Sequence, residues 1–491
     1  MPTLRIPLLG SMTTRDGTNT LSYNLQKDQI FQDCDFQIVN NKVTGKVSTW
    51  VRARNDFKES DRPTGASGQG TCVYVWRGRA VGVGAGGVVS AFGSTNSTIY
   101  VGTASIGSIT GQCHFMSEAM VGTTSTMLMI SNFAAGGSNR AWFYPESGAL
   151  TEITDTDFPA KQTPALTMVG NFVSLDGFNF IMTFDGQIWH SDSNSIANWS
   201  ATSYVDAEDY PGVGVGLARH GRYVAAFKRK SIEFFQNTGN AAGSVLSRVS
   251  DHTKQVGCES QYSIRAHGGG IFFVGSEGGR VGVYHLLSME VNRISTPEVE
   301  SLFSATSASE STLGIFTSYG KPYLVLMTSR GAATGYAYDL DSSLWHLWNF
   351  SVAPYAFDSY SFLGSDATMW STFYVSLSQQ KVYVNDKTPV QASIQTGVLD
   401  FGSANRKTMT KIRLVGDKTT SSMPIAVSWS DDDYQNFSTP RNIDMSLANP
   451  QLMRCGTFRR RAFKFTGLGE ASTDRPARLE AIDVSIYESD L

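Results

Sequence analysis

A short apolar strand, a turn bearing Gly, Asp, Glu or Ser, and a second short strand recur along the middle of this chain. WFYPESGALTEIT (142–154) and IMTFDGQIWHSD (181–192) are two instances. AAFKRKSIEFFQNTG (225–239), IFFVGSEGGRVGVYHLL (271–287), YAYDLDSSLWHLWNF (336–350) and FYVSLSQQKVYVND (373–386) are others. Each is a hairpin by its own chemistry, because Gly, Asp and Asn supply the backbone angles that tight turns need. The turns come roughly every 40 to 55 residues, about the length of a four-stranded propeller blade. This rhythm predicts about five or six blades across residues 72–390. The spacing is uneven, so a less regular stack of sheets stays open.

At 491 residues the chain is too long for one ordinary core. Charged residues make up 17%, below the roughly 25% usual for soluble domains. Low charge with many Gly, Ser, Thr and aromatic residues suits short strands on pleated surfaces. Residues 1–70 are polar with weak periodicity, end in KESDRPTGASGQG (58–70), and read as an extended arm or irregular region. Dense patterning begins with CVYVWRGRAVGVG (72–84). After residue 390 longer alternating strands appear: VLDFGSANRKTMTKIRLVG (398–416), SSMPIAVSWSDDDYQNFS (421–438), RRRAFKFTGL (459–468) and RLEAIDVSIYES (478–489). The expected organisation is an arm over 1–70, a propeller-like or multi-sheet domain over 71–390 and a C-terminal β-sandwich over 391–491, all-β with very few helices. One helix is expected in STPEVESLFSA (295–305), where Ser295 and Glu298 have capping-box spacing and Pro297 suits the first turn.

A net charge of −3 argues against a dedicated nucleic-acid binder, though not against a protein that DNA merely passes. Cys34, Cys72, Cys113, Cys258 and Cys455 are far apart and contain no C-x-x-C, so free thiols in a reducing cytoplasm are expected. The apolar run IPLL is broken by Pro7 and is no signal peptide. No stretch approaches the roughly 18 apolar residues of a membrane span.

The chemical motifs are weak. GVGAGG (82–87) and GVGVGL (212–217) imitate dinucleotide-binding turns, but no helix follows to hold a phosphate, and β-turns are expected. The seven histidines stand singly and suggest no zinc site. DAEDYPG (206–212) lacks the ligand pattern of a calcium loop and reads as a solvated acidic turn. No G-x-S-x-G occurs, and GTASIGS (102–108) reads as an ordinary loop. No cofactor, metal or catalytic residue is expected.

Two features ask for more thought. From Ser430, SWSDDDYQNFS (428–438) comes close to the S-x-D-x-G-x-T-W "Asp box" of sialidases and other propeller enzymes, and LRIP (4–7) is similar to their Arg-Ile-Pro element. TFDGQIW (183–189) is a second box one residue short. Sialidases carry several boxes, one per blade, and also need three arginines and a nucleophile with an acid. The box is itself a folding device whose aspartate accepts backbone hydrogen bonds. Asp431–Asp433 are therefore expected to form a sandwich turn, with Trp429 and Phe437 packing. The other feature is FRRRAFKF (458–465), flanked by Arg454, Arg475 and Arg478. Along a strand Arg459, Arg460 and Arg461 point alternately to opposite faces. Contact with DNA phosphates, pairing with acids on a neighbouring subunit, and plain solvation stay open for them.

Three stretches together resemble the packaged-DNA stabilisation proteins of short-tailed bacteriophages, also called tail hub or nozzle proteins. YVDAEDYPGVGVGLARHGRYVAAFKRKSIEFFQNTG (204–239) is similar to the family's A-E-x-x-P-D turn and S-I-E-x-[WF]-x-x-T-G strand. Residues 247–300 carry Gly-Cys, a glycine-rich turn, V-Y and RISTPEVE, similar to R-I-S-T-x-x-[IV]-E. Residues 428–467 match an S-D-D-G hairpin followed by R-x-G-x-x-R-x-x-x-F, and RIPLLGSMTTRDGT (5–18) has the family's flavour. Gly212 and Tyr434 stand where the family often has Asp and Gly, and VRARNDF (51–57) replaces K-R-P-G. The resemblance implies a non-enzymatic virion protein made in the host cytoplasm. It further implies a homo-hexamer below the portal and adaptor (head-to-tail connector) rings, with tail fibre, tailspike or needle proteins alongside or below. Genomic DNA would then be a non-specific partner in the channel, retained before ejection and conducted during it. The rival reading is a carbohydrate-binding or glycan-hydrolysing propeller, a tail adhesin or sialidase-like enzyme.

Overall fold

The computed structural model describes residues 3–8, 29–40, 47–59, 66–76, 88–93, 95–121, 125–131, 139–145, 148–240, 243–304, 308–364, 367–376, 382–469 and 478–488. GVGAGG (82–87), Arg475, residues 60–65 of the expected loop and 9–18 of the opening segment lie outside them. The chain divides into two compact units, one of residues 58–335 and 350–384, the other of 1–57, 336–349 and 385–491.

Among the described residues the first unit holds seven groups of antiparallel strands in chain order: six are separate small sheets, and the sixth in order, Thr312–Ser318 with Lys321–Met327, is the end of a nine-stranded sheet. Their innermost strands are Gly70–Val75, Phe115–Val121, Met168–Leu175, Gly214–His220, Thr312–Ser318 and Ala356–Gly364. In the fifth sheet two short strands, Gly257–Cys258 and Arg265–His267, share that place around the turn Gln261–Ser263. Each inner strand lies beside the next, and Ala356–Gly364 lies beside Gly70–Val75, so the sheets close into a propeller ring. Closure explains the burial pattern: Thr312–Ser318 is buried at every position because neighbouring sheets cover both of its faces. It also explains Gly314, where a Cβ would stand 1.8 Å from the Phe357 ring of the next sheet.

Among the described residues these blade-like groups number seven, more than the hairpin rhythm predicts. Gly70–Val75 pairs with Val88–Phe92 across residues 76–87, so the first sheet lacks a tight-turn signature. Thr312–Ser318 pairs with Lys321–Met327 across Tyr319 and Gly320, both with positive φ (50° and 78°). A tyrosine in a place that normally takes Asn or Asp hides that hairpin from a sequence reading. The expected helix forms as Pro297–Ser301, but its N-cap is Thr296 and not Ser295. The capping box therefore fails, and the Ser295 hydroxyl donates instead to Glu300 Oε1 at 3.0 Å.

The second unit is a β-sandwich. One sheet joins Thr3–Pro7, Cys34–Asn40, Val47–Ala53, Leu479–Glu488, Lys407–Gly416, Gln451–Met453 and Thr457–Phe458. The other runs Trp345–Asn349, Ile30–Gln32, Ala392–Gln395, Ala462–Leu468, Pro424–Ser430 and Arg441–Asp444. Phe36, Val51, Ile394, Ile412, Val427, Phe463, Phe465, Ile482 and Val484 fill the space between them. The expected C-terminal sandwich is present, yet its boundaries differ from a division at 70 and 390. Leu479–Glu488 would be left with an unpaired edge; Thr3–Pro7 covers it, pairing Leu4 with Val484 and Ile6 with Ile482. The LRIP segment is thus a sandwich strand and not part of an irregular arm. VRARNDF is equally built in: Arg52 Nε bonds Asp35 Oδ2 at 2.6 Å, and Arg54 Nε bonds the buried Asp33 at 2.9 Å. Among the described residues no helix is long and apolar enough to cross a membrane.

Candidate functional site

The acidic turn and the arginine run meet inside the sandwich. SWSDDDYQNFS leaves strand Pro424–Ser430 in a turn where Asp433 and Tyr434 take φ of 58° and 67°. Asp432 organises it, accepting from the Ser430 hydroxyl at 2.8 Å, the Asn436 N–H at 3.0 Å and the Asn436 side chain at 2.8 Å. Those bonds, the Asn436 backbone donor first, hold its carboxyl down at about 2. Trp429 packs against the sandwich core, and Phe437 is half-buried with Lys464 Nζ 5.6 Å above its ring.

Arg461 does not stand at the surface of the chain. It is 1% exposed, forks onto Asp431 at 2.7 and 2.8 Å and donates to the Cys455 carbonyl at 2.6 Å. Its guanidinium stacks 4.1 Å from the Phe458 ring and 5.0 Å from that of Trp429. The correction follows from strand alternation: the core side of Ala462–Leu468 begins at Arg461, and a buried guanidinium needs a carboxylate. Arg460 is exposed and paired with Asp433. Arg459 is exposed and, among the described residues, its side chain reaches the Ala404 carbonyl at 3.4 Å. Around it lie the flanking Arg454 and two exposed arginines that the linear run does not reveal, Arg406 and Arg441. Arg406 donates to Thr457 Oγ1 at 3.1 Å, and Arg441 donates to the carbonyls of Arg454 and Met453 at 3.1 and 2.9 Å. None of Arg406, Arg441, Arg454 and Arg459 forms an ion pair with a described residue.

The stretch 204–239 is held by a buried charge. Lys228 Nζ contacts the carbonyls of Ala207 and Tyr210 and lies 3.4 Å from Glu233 Oε1, both side chains being almost wholly buried. Arg248 Nε adds a second cation 3.1 Å from Glu233 Oε2. The turn DAEDYPG is thus fastened through its backbone while Asp206, Glu208 and Asp209 stay exposed. In 247–300, Gly257 passes so close to the Arg229 carbonyl that a Cβ would stand 1.8 Å from it.

The hole of the propeller is filled. Phe115 of the second sheet stacks on Tyr262 of the fifth, ring centroids 5.4 Å apart, so two nearly opposite sheets touch across the ring. Arg330 lies between Tyr262 and Tyr355, 4.2 and 3.9 Å from their rings, and donates to the Thr71 carbonyl at 3.4 Å. Arg265 donates to the Leu313 carbonyl at 2.8 Å, and burial lowers its pKa despite Asp358 nearby. The Tyr262 hydroxyl lies 3.2 Å from His114 Nδ1; burial, then Arg330, depress His114 to about 4, so it is neutral at pH 7. Sequence reasoning missed this cluster because its members come from five separated stretches with no shared motif.

Two arginines and two tyrosines at a propeller centre invite comparison with a sialidase site. Burial raises the Tyr262 pKa, the opposite of what a nucleophile needs, and its hydroxyl faces a neutral histidine. Asp358 is already engaged by the Val75 N–H at 2.8 Å. All five cysteines are buried and free of disulfides. Among the described residues no group of His, Cys, Asp and Glu is arranged to hold a metal ion.

A family model described as "Bacteriophage P22 Gp10, beta-propeller" (Phage_stabilise) matches residues 55–328. No curated protein matches the chain. Solved structures share it only loosely. Raptor from Chaetomium thermophilum is 13% identical at a TM-score of 0.41, over 69% of this chain and 29% of its own. The Pan2 WD40 domain of Neurospora crassa is 10% identical at 0.40, over 70% and 96%. An exo-β-1,3-galactanase from Phanerochaete chrysosporium is 8% identical at 0.31, over 77% and 96%.

Proposed function

The chain belongs to this family of packaged-DNA stabilisation proteins of short-tailed phages, and from that premise we propose that it forms a hub or nozzle ring in the phage tail. Copies of the chain, six by family resemblance, surround a lumen below the portal and adaptor rings. The ring retains the packaged genome and lets it through at ejection. Family membership carries this reading, and the filled propeller hole supports it. In this reading the DNA path runs between copies and not through one propeller, where rings from nearly opposite sheets are stacked 5.4 Å apart. The closed form of such an assembly is a ring with the same contact repeated head to tail.

The role is architectural and not catalytic. Asp432 and Arg461, which look like enzyme signatures in the sequence, are both consumed by internal hydrogen bonds. A wall that conducts DNA works best with few free cations, since each phosphate contact adds affinity and friction. Sedimentation and negative-stain electron microscopy of the full chain, alone and with the adaptor ring, test the proposal. Six-fold rings are expected. A monomer or trimer that cleaves a sialoside or host polysaccharide contradicts it and favours the enzymatic rival.

A further inference from the structure

Most described arginines are paired with a carboxylate: Arg5 with Asp483, Arg52 with Asp35, Arg229 with Glu259, Arg478 with Asp417. Arg406, Arg441, Arg454 and Arg459 depart from this habit together, around one ribbon of the sandwich. Arg454 N–H bonds the Thr410 carbonyl, and Thr457 and Phe458 pair with Thr408 and Lys407. Between these guanidiniums Met453 is 51% exposed. Asp400 and Glu488 lie near enough to the buried Lys407 to favour its charged form, against the larger effect of burial.

The propeller carries a surface of the opposite kind. Asp185, Asp206, Glu208 and Asp209 are all exposed, and none forms an ion pair with a described residue. They are held together by the backbone: the Ala207 N–H bonds the Gly186 carbonyl at 3.0 Å, and Gln187 pairs with Asp206. Beside them Phe184 is 47% exposed. Lys230, packed near Gly212, and the partly exposed Arg248, which donates to the Asp206 carbonyl at 3.1 Å and pairs with Glu233, are the cations at the margin, while Lys228 is buried beneath.

We infer that these two surfaces bind each other between copies of this chain: the arginine patch around Met453 in one copy docks on the acidic patch around Phe184 in the next. Each patch sets an exposed apolar side chain among charges of one sign, the usual make-up of a specific contact with a charged rim. Because the patches differ, the contact is heterologous, and its repetition generates a ring or a filament and not a two-fold dimer. The inference rests on the ring reading above and names the surfaces that would build it.

The test uses two variants of the full chain, R441E/R454E and E208K/D209K, all at exposed positions, with circular dichroism to confirm the fold of each. Sedimentation velocity reads assembly at low and high salt. Wild type is expected to assemble, less so as salt rises. Each variant alone should need a concentration more than about tenfold higher for half-assembly, since like charges then face each other. An equimolar mixture should recover assembly, because the reversed patches complement one another. Folded variants that assemble like wild type, or a mixture that fails to recover, overturn the interface and leave the ring standing. A wild type that stays monomeric, alone and on the adaptor ring, overturns both. Gel shift of a 30-base-pair duplex supplies the remaining arm: DNA binding lost in R441E/R454E while assembly is unchanged assigns the arginines to DNA and overturns the proposal.

Discussion

Arg461 and Asp431 are joined by two parallel hydrogen bonds of 2.7 and 2.8 Å, the guanidinium buried and the carboxylate at the surface. The pair ties the acidic turn to the residue that enters the core strand Ala462–Leu468. Arg461→Ala leaves a buried hole and unpaired acceptors, and is expected to cost about 3 kcal/mol. Asp431→Ala leaves the guanidinium its bond to Cys455 and its ring contacts, and should cost about 2 kcal/mol. Arg459→Ala, two residues away, should change stability by less than about 0.5 kcal/mol. Urea unfolding followed by tryptophan fluorescence separates the three; equal losses at 459 and 461 would contradict the assignment.

Acid should loosen the same turn. The Asp432 carboxyl is held at about 2 in the fold and returns to about 3.9 when unfolded. A depressed carboxyl contributes stability above its unfolded pKa, and that contribution disappears as pH falls from about 4 to 2. Asp444 acts in the same direction through its bonds from Ser422, Ser446 and Met423. Urea midpoints of wild type and Asp432→Asn at pH 5 and pH 2.5 check this. Wild type should lose more between the two than the variant does; parallel losses would show that the turn is not what titrates.

The buried cation in the fourth sheet gives a third expectation. Lys228→Met leaves Glu233 buried with Arg248 alone and releases the carbonyls of Ala207 and Tyr210. A loss of about 3–5 kcal/mol is expected, with DAEDYPG becoming the preferred site of limited proteolysis. Cleavage unchanged at 206–212 would mean that Lys228 does not fasten the turn.

Close packing between inner strands is tested at Gly314. A methyl there would meet the Phe357 ring at 1.8 Å, so Gly314→Ala should cost about 2–3 kcal/mol through overpacking. Gly221→Ala, with open space but a φ of 62°, should cost about 1 kcal/mol from backbone strain alone. Thermal unfolding ranks the two, and the reverse order would contradict the ring packing described.

Local chemistry made much of this molecule readable in one dimension. Hairpins with Gly and Asp turns announce the propeller, and the alternating strands after residue 390 announce the sandwich. What stayed hidden depends on distance along the chain. That Thr3–Pro7 completes a sheet with Leu479–Glu488 is invisible locally, because edge pairing asks no more of a segment than an extended backbone and carries no residue signature of its partner. Alternation puts Arg459, Arg460 and Arg461 on opposite faces of a strand, but which face is core and which is solvent shows only once the sheet is packed. The stack of Phe115 on Tyr262 has no sequence signal at all, being a consequence of ring closure.

The central claim concerns retention of DNA, and nuclease protection of the genome tests it most directly. Phage heads filled with DNA but assembled without this protein are incubated with the purified full chain and then with nuclease. The account predicts that the genome, leaking and digested without the protein, becomes protected once the ring is in place. Heads that lose their DNA equally with and without a bound ring would contradict it.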